Sequence, residues 1–264
     1  MPEGDTIFKL AAYLKPVLTD QRIQVGTLRD QPAVDLAGRE ITDVFAHGKH
    51  LFIAFDDEHM LRSHLGMWGS WHHYAIDETW QKPARQASIV LELGQRVYVC
   101  FNAQQVELMR KHGVRARQFG IVMGPDLLAD EVDIDDIVTR AREMSAPSRP
   151  IADVLLDQRI ASGIGNVYKS EVLFIECCQP ASELQQLDHA VLRNLYQRAS
   201  ELLNENTRGG PRITRRANDQ ADTLWVYGRT GLPCLRCDTP IESMRFGKAQ
   251  RSTFWCPHCQ PTAA

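Results

Sequence analysis

Four cysteines near the carboxyl end of the chain constrain its fold more than any other feature. They form two Cys-x-x-Cys pairs, Cys234 with Cys237 and Cys256 with Cys259, and 18 residues separate the pairs. This spacing is typical of sites in which four thiolates surround one Zn²⁺ tetrahedrally. A module of this size buries too little apolar surface to fold alone, so the metal would supply the missing stability. Because four cysteines leave no coordination position open, we expect one structural Zn²⁺.

Disulfide bonds are the alternative interpretation of these cysteines. The chain has seven cysteines, an odd number, and no segment of signal-peptide type, which favours reduced thiols in a cytoplasmic protein. No apolar run is long enough to span a membrane. His258 could also bind the metal, but it lies inside the second pair, which Cys259 already completes. Cys100, Cys177 and Cys178 are expected to be ordinary thiols.

The segment between the cysteine pairs predicts a β-hairpin. Its second half, residues 252–256, alternates in side-chain character, and Arg251 falls near the predicted tip. An arginine on a rigid hairpin can bind phosphate through two parallel hydrogen bonds. The whole chain has a net charge of −3, but residues 208–251 carry nine Lys or Arg against four acids. This quarter of the chain is suited to a polyanion such as nucleic acid, although an ordinary solvated surface would also account for the charge.

The first ~120 residues read as β-structure. Residues 41–55 end in a short apolar run, and residues 88–101 alternate on both sides of Gly94-Gln95, the pattern of a hairpin. Short strands separated by turns predict a sandwich or a barrel. The acidic segment 126–136, with six acids and no base, and the proline-rich segment 145–150 then mark a change of class.

From Pro150 onward the apolar residues follow a helical period. Pro150 suits the first position of a helix, residues 166–176 predict a second helix, and a third is expected to start at Asp188. Its apolar face would comprise Leu187, Val191, Leu195, Ala199 and Leu202. Residues 207–222 are polar, basic and rich in glycine, and we expect a mobile linker or a loop there.

Asn166, at the start of the second helix, admits two interpretations. It is a good amino-terminal cap, which is the ordinary use of asparagine at such a position. Alternatively, the free backbone N–H groups at residues 166–168, with the helix dipole and the Asn166 amide, would bind phosphate. A dinucleotide-binding loop is only weakly supported at this Gly-x-Gly, because the third glycine position holds Tyr168 and a helix precedes it.

The first residues also admit two interpretations. Pro2 would fit the first turn of a helix whose apolar face is Ile7, Leu10, Ala11 and Leu14. Alternatively, removal of Met1 would leave Pro2 as a free secondary amine beside the carboxylate of Glu3. The second interpretation is a chemical one, because such an amine is a nucleophile.

Taken together, these features resemble the formamidopyrimidine-DNA glycosylase / endonuclease VIII superfamily, and they lie nearer its endonuclease VIII branch. The segments that carry the resemblance occur in the expected order: MPEG, HGKHLF, SHLGMWG, MGPDLL, LLDQRIASGIGNVYKSE, LWVYGRTGLPC and QRSTFWCPHCQ. The resemblance implies an α+β multidomain protein that holds DNA in a cleft. Its domains would be a catalytic β-sandwich (residues 1–125), a linker with a helix-two-turns-helix DNA-binding domain (126–224) and a β-hairpin zinc finger (225–264).

The resemblance also implies the site residues. Pro2 would be the nucleophile that attacks C1′ of a damaged nucleotide, and Glu3 would be the general acid and base. Lys49 would bind phosphate and assist proton transfer, while Asn166 and Arg251 would bind phosphate, with Arg251 completing the catalytic set.

A side chain must also fill the gap left by a base that leaves the duplex. Met67 is the expected wedge, with Trp68 as its neighbour, although a methionine is equally suited to filling a core. Relatives of the endonuclease VIII branch often have glutamine where this chain has Gly66, a departure that bears on lesion preference.

The implied function is a bifunctional DNA glycosylase/AP lyase that acts as a monomer on damaged DNA. It would remove oxidised bases, chiefly pyrimidines, through an iminium intermediate at Pro2 followed by β,δ-elimination. Two alternatives remain: a non-catalytic sensor of damaged DNA on the same scaffold, and RNA binding through the zinc ribbon. The first has no need of a free amine at Pro2, and the second is testable by competition with undamaged RNA.

Overall fold

The structure is a computed structural model that describes residues 2–217, 222–247 and 250–261. The chain forms two compact units, with the boundary after Val122. No helix in the described part of the chain is both long enough and apolar enough to cross a membrane.

Two four-stranded antiparallel sheets and one helix make up the first unit. The strand orders are β1-β6-β7-β5 and β2-β3-β4-β8, and apolar side chains from both sheets and from α1 share one core. The sandwich is therefore confirmed. The elements are α1 (Gly4–Leu18), β1 (Val25–Leu28), β2 (Ile41–His47), β3 (His50–Phe55), β4 (His59–His64), β5 (Ser70–Ala75), β6 (Ala87–Leu93), β7 (Arg96–Phe101), β8 (Gln105–Arg110) and α2 (Val114–Val122).

The predicted local features of this unit are present. The side chains of Ile7, Ala11 and Leu14 are buried on α1, and Leu10 packs against the same core. Strands β6 and β7 pair as a hairpin, and Gly94 has a φ of +59° at the turn, a conformation that glycine adopts without steric cost. All six residues of β3 are buried, as the short apolar run predicted.

Helices and a terminal hairpin make up the second unit. Its main core lies among α3, α5, α6 and the segments between them. The elements are α3 (Ile134–Met144), α4 (Ile151–Val154), α5 (Asn166–Ile175), α6 (His189–Glu205), β9 (Glu242–Phe246) and β10 (Arg251–Trp255). α6 begins after Asp188, whose carboxylate accepts from the N–H of Val191, so its predicted start is confirmed.

The helical part begins earlier than predicted. α3 occupies the region read as a boundary, and Asp133 caps it by accepting from the N–H groups of Asp135 and Asp136, each at 3.0 Å. Acids favour the positive end of a helix dipole, so the acidic segment, which lies just after the boundary between the two units, also contains the start of a helix. The prediction that Pro150 occupies a first helical position is wrong by one residue, because Pro150 caps the single turn of α4.

The described part of the predicted linker contains no helix or strand, as expected of a loop. Its backbone is nevertheless held by specific contacts. Ile213 exchanges two hydrogen bonds with the side chain of Asn206, at 2.7 and 2.8 Å, and Thr223 O accepts from the N–H groups of Thr214 and Arg215. Residues 218–221 of this predicted linker lie outside the described residues.

Candidate functional site

Pro2 lies just outside α1, so the interpretation that it fills the first helical position is wrong. Glu3 is the capping residue, and its side chain is fully buried. Glu3 and Thr6 form a capping box: the Thr6 N–H donates to the Glu3 carboxylate, and the Glu3 N–H donates to the Thr6 hydroxyl at 3.4 Å. The cap fixes the direction in which the chain enters the helix, and therefore fixes Pro2 next to a buried carboxylate.

The lengths of α1 and β2 indicate that the turn that carries Lys49 lies at the same end of the first unit as Glu3. α1 packs on β2 and β3, and its carboxyl end is tied to the start of β2 by a hydrogen bond from Asp20 N to Ile41 O of 2.8 Å. A helix of 15 residues is about 22 Å long, and a strand of seven residues is about 23 Å long. The matching lengths bring the amino end of α1 to the far end of β2, where Lys49 follows.

Lys49 occupies a two-residue hairpin turn between paired His47 and His50. Gly48, the first residue of the turn, has a φ of +55°, which suits the primed turns that connect antiparallel strands tightly. The turn holds the Lys49 backbone rigidly while its side chain is partly exposed. Rigid placement of this kind is what a phosphate-binding or proton-transferring amine requires.

The loop that contains Met67 begins at this end as well. His64, the last residue of β4, pairs with His50 across the sheet, and the loop follows it. Met67 is 55% exposed and Trp68 is 76% exposed. The interpretation of Met67 as a core residue is therefore wrong, and the loop offers two large apolar side chains to solvent.

Gln104 covers the glycine at the start of this loop. Gly66 has a φ of +63°, and a Cβ atom built there would lie 2.7 Å from Gln104 Oε1 and 2.9 Å from Gln104 Cβ. A larger residue at position 66 would therefore meet Gln104, which lies in the segment before β8.

A histidine cluster behind Lys49 is a feature that the sequence analysis did not predict. The rings of His50 and His64 lie 4.8 Å apart, and Arg62 Nη1 donates to His50 Nδ1 at 3.3 Å. Burial, followed by the nearby charges of His64 and Arg62, lowers the pKa of His50 to about 2. His50 is therefore a neutral acceptor at physiological pH. Two histidines that flank Gly48-Lys49 in the sequence, His47 and His50, were the only local signal for this cluster.

Asn166 joins α5 to the terminal hairpin in the second unit. Gly165, not Asn166, is the cap of α5, so the capping interpretation is wrong. The Asn166 side chain is nearly buried, its Nδ2 donates to Ser252 O at 2.7 Å, and its Oδ1 accepts from Lys169 Nζ at 2.7 Å. Asn166 thus lies within one residue of Arg251 along β10.

Arg251 is the first residue of β10 and pairs with Phe246 of β9, so the predicted hairpin is confirmed. Both side chains line a cavity of about 530 Å³, whose other lining residues are Arg149, Asp153, Leu156, Asp157 and Arg159.

On the wall of this cavity, Asp157 accepts from Arg149 at 2.9 Å and from Arg159 at 2.7 Å. Burial opposes its ionisation, but these hydrogen bonds prevail and hold the pKa of Asp157 well below its usual range. Residues 248–249 lie outside the described residues.

The four predicted ligand cysteines meet in one cluster. All four sulfur atoms lie within 4.8 Å of one another, and the closest pairs are 3.4, 3.5 and 3.9 Å apart. Four thiolates at 2.3 Å from a tetrahedral Zn²⁺ would be about 3.8 Å apart, whereas a disulfide requires about 2.05 Å. The cluster fits a zinc ion, and it is the structural zinc site of the hairpin. Its buried members pack with Phe174 of α5, which joins the zinc module to the helices.

Glu171 is a second feature that the sequence did not reveal. Its buried carboxylate accepts from the N–H groups of Val226, Tyr227 and Trp225 at 2.9, 2.8 and 2.7 Å, and from the Thr214 hydroxyl. One side chain of α5 therefore fixes the segment that leads into the zinc site. Its partners lie more than 40 positions away in sequence, so no local pattern marks it.

Models of known protein families match three parts of the chain. The formamidopyrimidine-DNA glycosylase N-terminal domain matches residues 1–106, and the formamidopyrimidine-DNA glycosylase H2TH domain matches residues 123–217. A zinc finger found in FPG and IleRS matches residues 231–262.

Relatives of similar length match almost the whole chain. The "Probable endonuclease 8 2" of Streptomyces coelicolor is 35% identical, with 98% of this chain and 94% of the relative covered. The "DNA-(apurinic or apyrimidinic site) lyase Nei2" of Mycolicibacterium smegmatis is 36% identical, with 98% and 99% covered. The formamidopyrimidine-DNA glycosylase of Thermus thermophilus is 32% identical, with 98% of each chain covered.

Solved structures share the fold at lower identity. A MutM complex with DNA containing carbocyclic 8-oxo-G has a TM-score of 0.83 at 23% identity, with 99% of this chain and 100% of that chain covered. The Lactococcus lactis Fpg complex with DNA containing an abasic site has a TM-score of 0.83 at 22% identity, with 98% and 100% covered.

Proposed function

The chain belongs to the formamidopyrimidine-DNA glycosylase family of DNA glycosylases and AP lyases, and on this basis we propose that it removes oxidised bases from DNA, with pyrimidines preferred. In this proposal residues 1–125 form the catalytic domain, residues 126–224 form the helix-two-turns-helix DNA-binding domain and residues 225–264 form the zinc finger. The protein acts as a monomer on damaged DNA.

The proposal is supported above all by the position of Pro2 at the amino end of the first unit. It precedes the cap of α1 and is followed by the buried carboxylate of Glu3. Once Met1 is removed, Pro2 presents a secondary amine. An α-amino group has a pKa of about 7.7–8.0, so about a tenth or more of it is neutral at pH 7. Such an amine is a competent nucleophile without further activation.

The reaction begins when the Pro2 nitrogen attacks C1′ of the damaged nucleotide. The bond from C1′ to the base breaks, and the base leaves with the electron pair and is protonated. The C1′–O4′ bond then opens, O4′ takes a proton, and the nitrogen loses its proton and forms a double bond to C1′. Because proline is a secondary amine, this product is an iminium cation. Glu3 supplies and accepts protons at the sugar and the base in these steps.

The iminium cation drives strand cleavage. It acidifies the C2′ hydrogen, and removal of that proton sends electrons toward C3′, which expels the 3′ phosphate by β-elimination. A second elimination expels the 5′ phosphate, and water then hydrolyses the iminium to release Pro2. Lys49, at the same end of the sandwich as Glu3, binds a phosphate beside the lesion and assists proton transfer.

DNA binding is assigned to three other side chains. Met67 enters the gap left by the extruded base, because it is exposed and flexible. Asn166 and Arg251 bind phosphates from α5 and from the hairpin, and Arg251 completes the catalytic set. The zinc site, formed by Cys234, Cys237, Cys256 and Cys259, holds the hairpin in its fold, and no chemical step passes through the metal.

Borohydride trapping tests the proposal. The protein, with Met1 removal checked by intact mass, is incubated with a duplex that carries an abasic site and then with one that carries thymine glycol. We expect a covalent adduct with both duplexes, because hydride reduces the iminium to a stable amine. Digestion of the adduct should place the DNA on the peptide that begins at Pro2. A parallel duplex that carries 8-oxoguanine measures the preference for pyrimidines.

Glu3→Gln is the matched variant, because it removes the acid at constant size. We expect it to lose base removal while it still forms an adduct on the preformed abasic site. If the parent protein binds the abasic duplex but forms no adduct at all, it is a sensor of damaged DNA and the lyase assignment is wrong.

A further inference from the structure

Lys169 of α5 is fully buried, which is rare for a lysine. Burial of an ammonium group is costly unless its hydrogens find acceptors. Lys169 Nζ donates to Asn166 Oδ1 at 2.7 Å, to Thr253 Oγ1 at 2.7 Å and to Ser252 O at 3.4 Å. One acceptor belongs to α5 and two belong to β10. The ammonium group therefore connects the helix with the zinc-finger strand.

These contacts determine the orientation of the Asn166 amide. An asparagine amide has an oxygen that accepts and an NH₂ group that donates twice, and its partners decide which way it faces. A lysine only donates, so Lys169 requires the oxygen of Asn166 on its side. The NH₂ group then faces Ser252 O, to which it donates at 2.7 Å. Among the described residues Ser252 alone accepts from this group, so its second N–H can donate to another acceptor.

We propose that Lys169 is a positioning residue for DNA binding. It locks the Asn166 amide with an N–H directed to a DNA phosphate, and it fixes β10 at Ser252 and Thr253, next to Arg251. The inference rests on the proposed function, because the anion in question is a phosphate of DNA. Two phosphate-binding side chains from separate elements then keep a fixed spacing before DNA arrives, which lowers the entropy lost on binding.

Lys169 acts through its neighbours and not by its own contact with phosphate. Its side chain is 0% exposed, whereas Arg251 is partly exposed on the cavity wall. This difference gives a measurable signature. Each phosphate contact contributes about one unit to the slope of log affinity against log salt concentration. Loss of a positioning residue lowers the affinity and leaves that slope unchanged.

The first experiment compares Lys169→Met with Arg251→Gln. Affinity for a duplex that contains a tetrahydrofuran abasic analogue is measured by fluorescence anisotropy at several salt concentrations. We expect Lys169→Met to weaken binding about tenfold or more, the cost of losing a charged hydrogen bond, with the salt slope of the parent. Arg251→Gln should reduce the slope by about one. A slope that falls equally in Lys169→Met would overturn the inference, since Lys169 would then bind phosphate directly.

A double-mutant cycle tests whether Lys169 acts through Asn166. In the background of Asn166→Ala, the further change Lys169→Met is expected to weaken binding by a smaller factor than in the parent protein, because only the contacts of Lys169 with β10 are then lost. Ser170→Ala is the matched control, because Ser170 is also buried on α5 and accepts from Phe254 N at 3.4 Å, but its hydroxyl donates to the backbone carbonyl of Asn166, at 3.1 Å, and does not bond to the Asn166 side chain. It should retain parental affinity. Additive effects in the cycle, or an equal loss in the control, would overturn the inference.

Zinc content and thermal unfolding of each variant establish that it is folded. If Lys169→Met fails to fold, Thr253→Val serves instead, because it removes one acceptor of Lys169 at nearly constant size. It should weaken binding severalfold with the parental salt slope. Failure of the parent protein to bind the duplex would contradict the proposed function, whereas parental affinity in both Lys169→Met and Thr253→Val would contradict this inference alone.

Discussion

Replacement of Glu171 by glutamine should loosen the segment that leads into the zinc site. One carboxylate oxygen of Glu171 accepts from Val226 N and Tyr227 N, and the other accepts from Trp225 N and the Thr214 hydroxyl. In Glu171→Gln one of these oxygens becomes an NH₂ group that faces donors. The amide is expected to place its NH₂ toward Thr214, because a hydroxyl can rotate and accept. The N–H of Trp225 then has no acceptor.

The size of the effect follows from these contacts. A buried donor left without a partner costs about 1–3 kcal/mol, and hydrogen bonds to a charged group are worth about 1.5–3 kcal/mol each. We expect the free energy of local opening of residues 222–227 to fall by about 3 kcal/mol. The change is local, because α5 keeps its other buried side chains in both forms.

Hydrogen exchange measured by mass spectrometry is the suitable assay, since it reports opening of individual segments. Glu176→Gln is the control, because Glu176 lies next to the end of the same helix and pairs with Arg198 at 2.9 Å while remaining 20% exposed. An ion pair of this exposure contributes about 0–1 kcal/mol. If the two variants lose equal protection at residues 225–227, the carboxylate of Glu171 does not anchor this segment and the reasoning is refuted.

Three further outcomes are expected. Chelation of zinc should remove hydrogen-exchange protection from residues 242–255 and leave strands β2–β4 protected; equal loss in both would contradict a local role for the metal. His50 has a folded pKa of about 2, below the 6.5 of the unfolded chain, so the stability it confers is complete above pH 6.5 and lost as pH falls toward 2. That loss is about 2 kcal/mol at pH 5, and urea unfolding of His50→Gln should show a weaker pH dependence. Met67→Ala should change the free energy of unfolding by less than about 0.5 kcal/mol, against about 2–5 kcal/mol for a buried methionine, while slowing excision of thymine glycol.

Features set by neighbouring residues could be predicted from the sequence. The cysteine spacing predicted the metal cluster, because two Cys-x-x-Cys pairs can bring four sulfur atoms together around one metal ion without help from distant residues. The hairpins were predicted for a similar reason, since alternation and a turn residue act within a few positions. The start of α6 at Asp188 belongs to the same class, as its cap bond reaches only three residues.

Features that depend on distant partners could not be predicted in this way. Pro150 and Asn166 each carry a valid helix-start signal, yet each lies one residue from its predicted position, because buried contacts decide the last residue of an element. The exposure of Met67 is likewise unreadable from composition, since a methionine is as common in cores as in loops. Lys169 and Glu171 depend on partners far along the chain, since Lys169 donates to Thr253, 84 positions away, and Glu171 accepts from Thr214, 43 positions away.

The zinc site and the residues proposed to bind phosphate are connected through β10. β10 has five residues, and Cys256 follows its last residue, so the metal fixes one end of the strand. Lys169 and Asn166 fix the strand again at Ser252 and Thr253. Arg251 directly precedes Ser252, at the opposite end of the strand from the metal. A strand held at two points cannot slide or tilt without breaking buried hydrogen bonds, which are costly to leave unmade. A finger with a small core can therefore present an arginine as rigidly as a large domain would, because α5 supplies the anchor that its own core lacks.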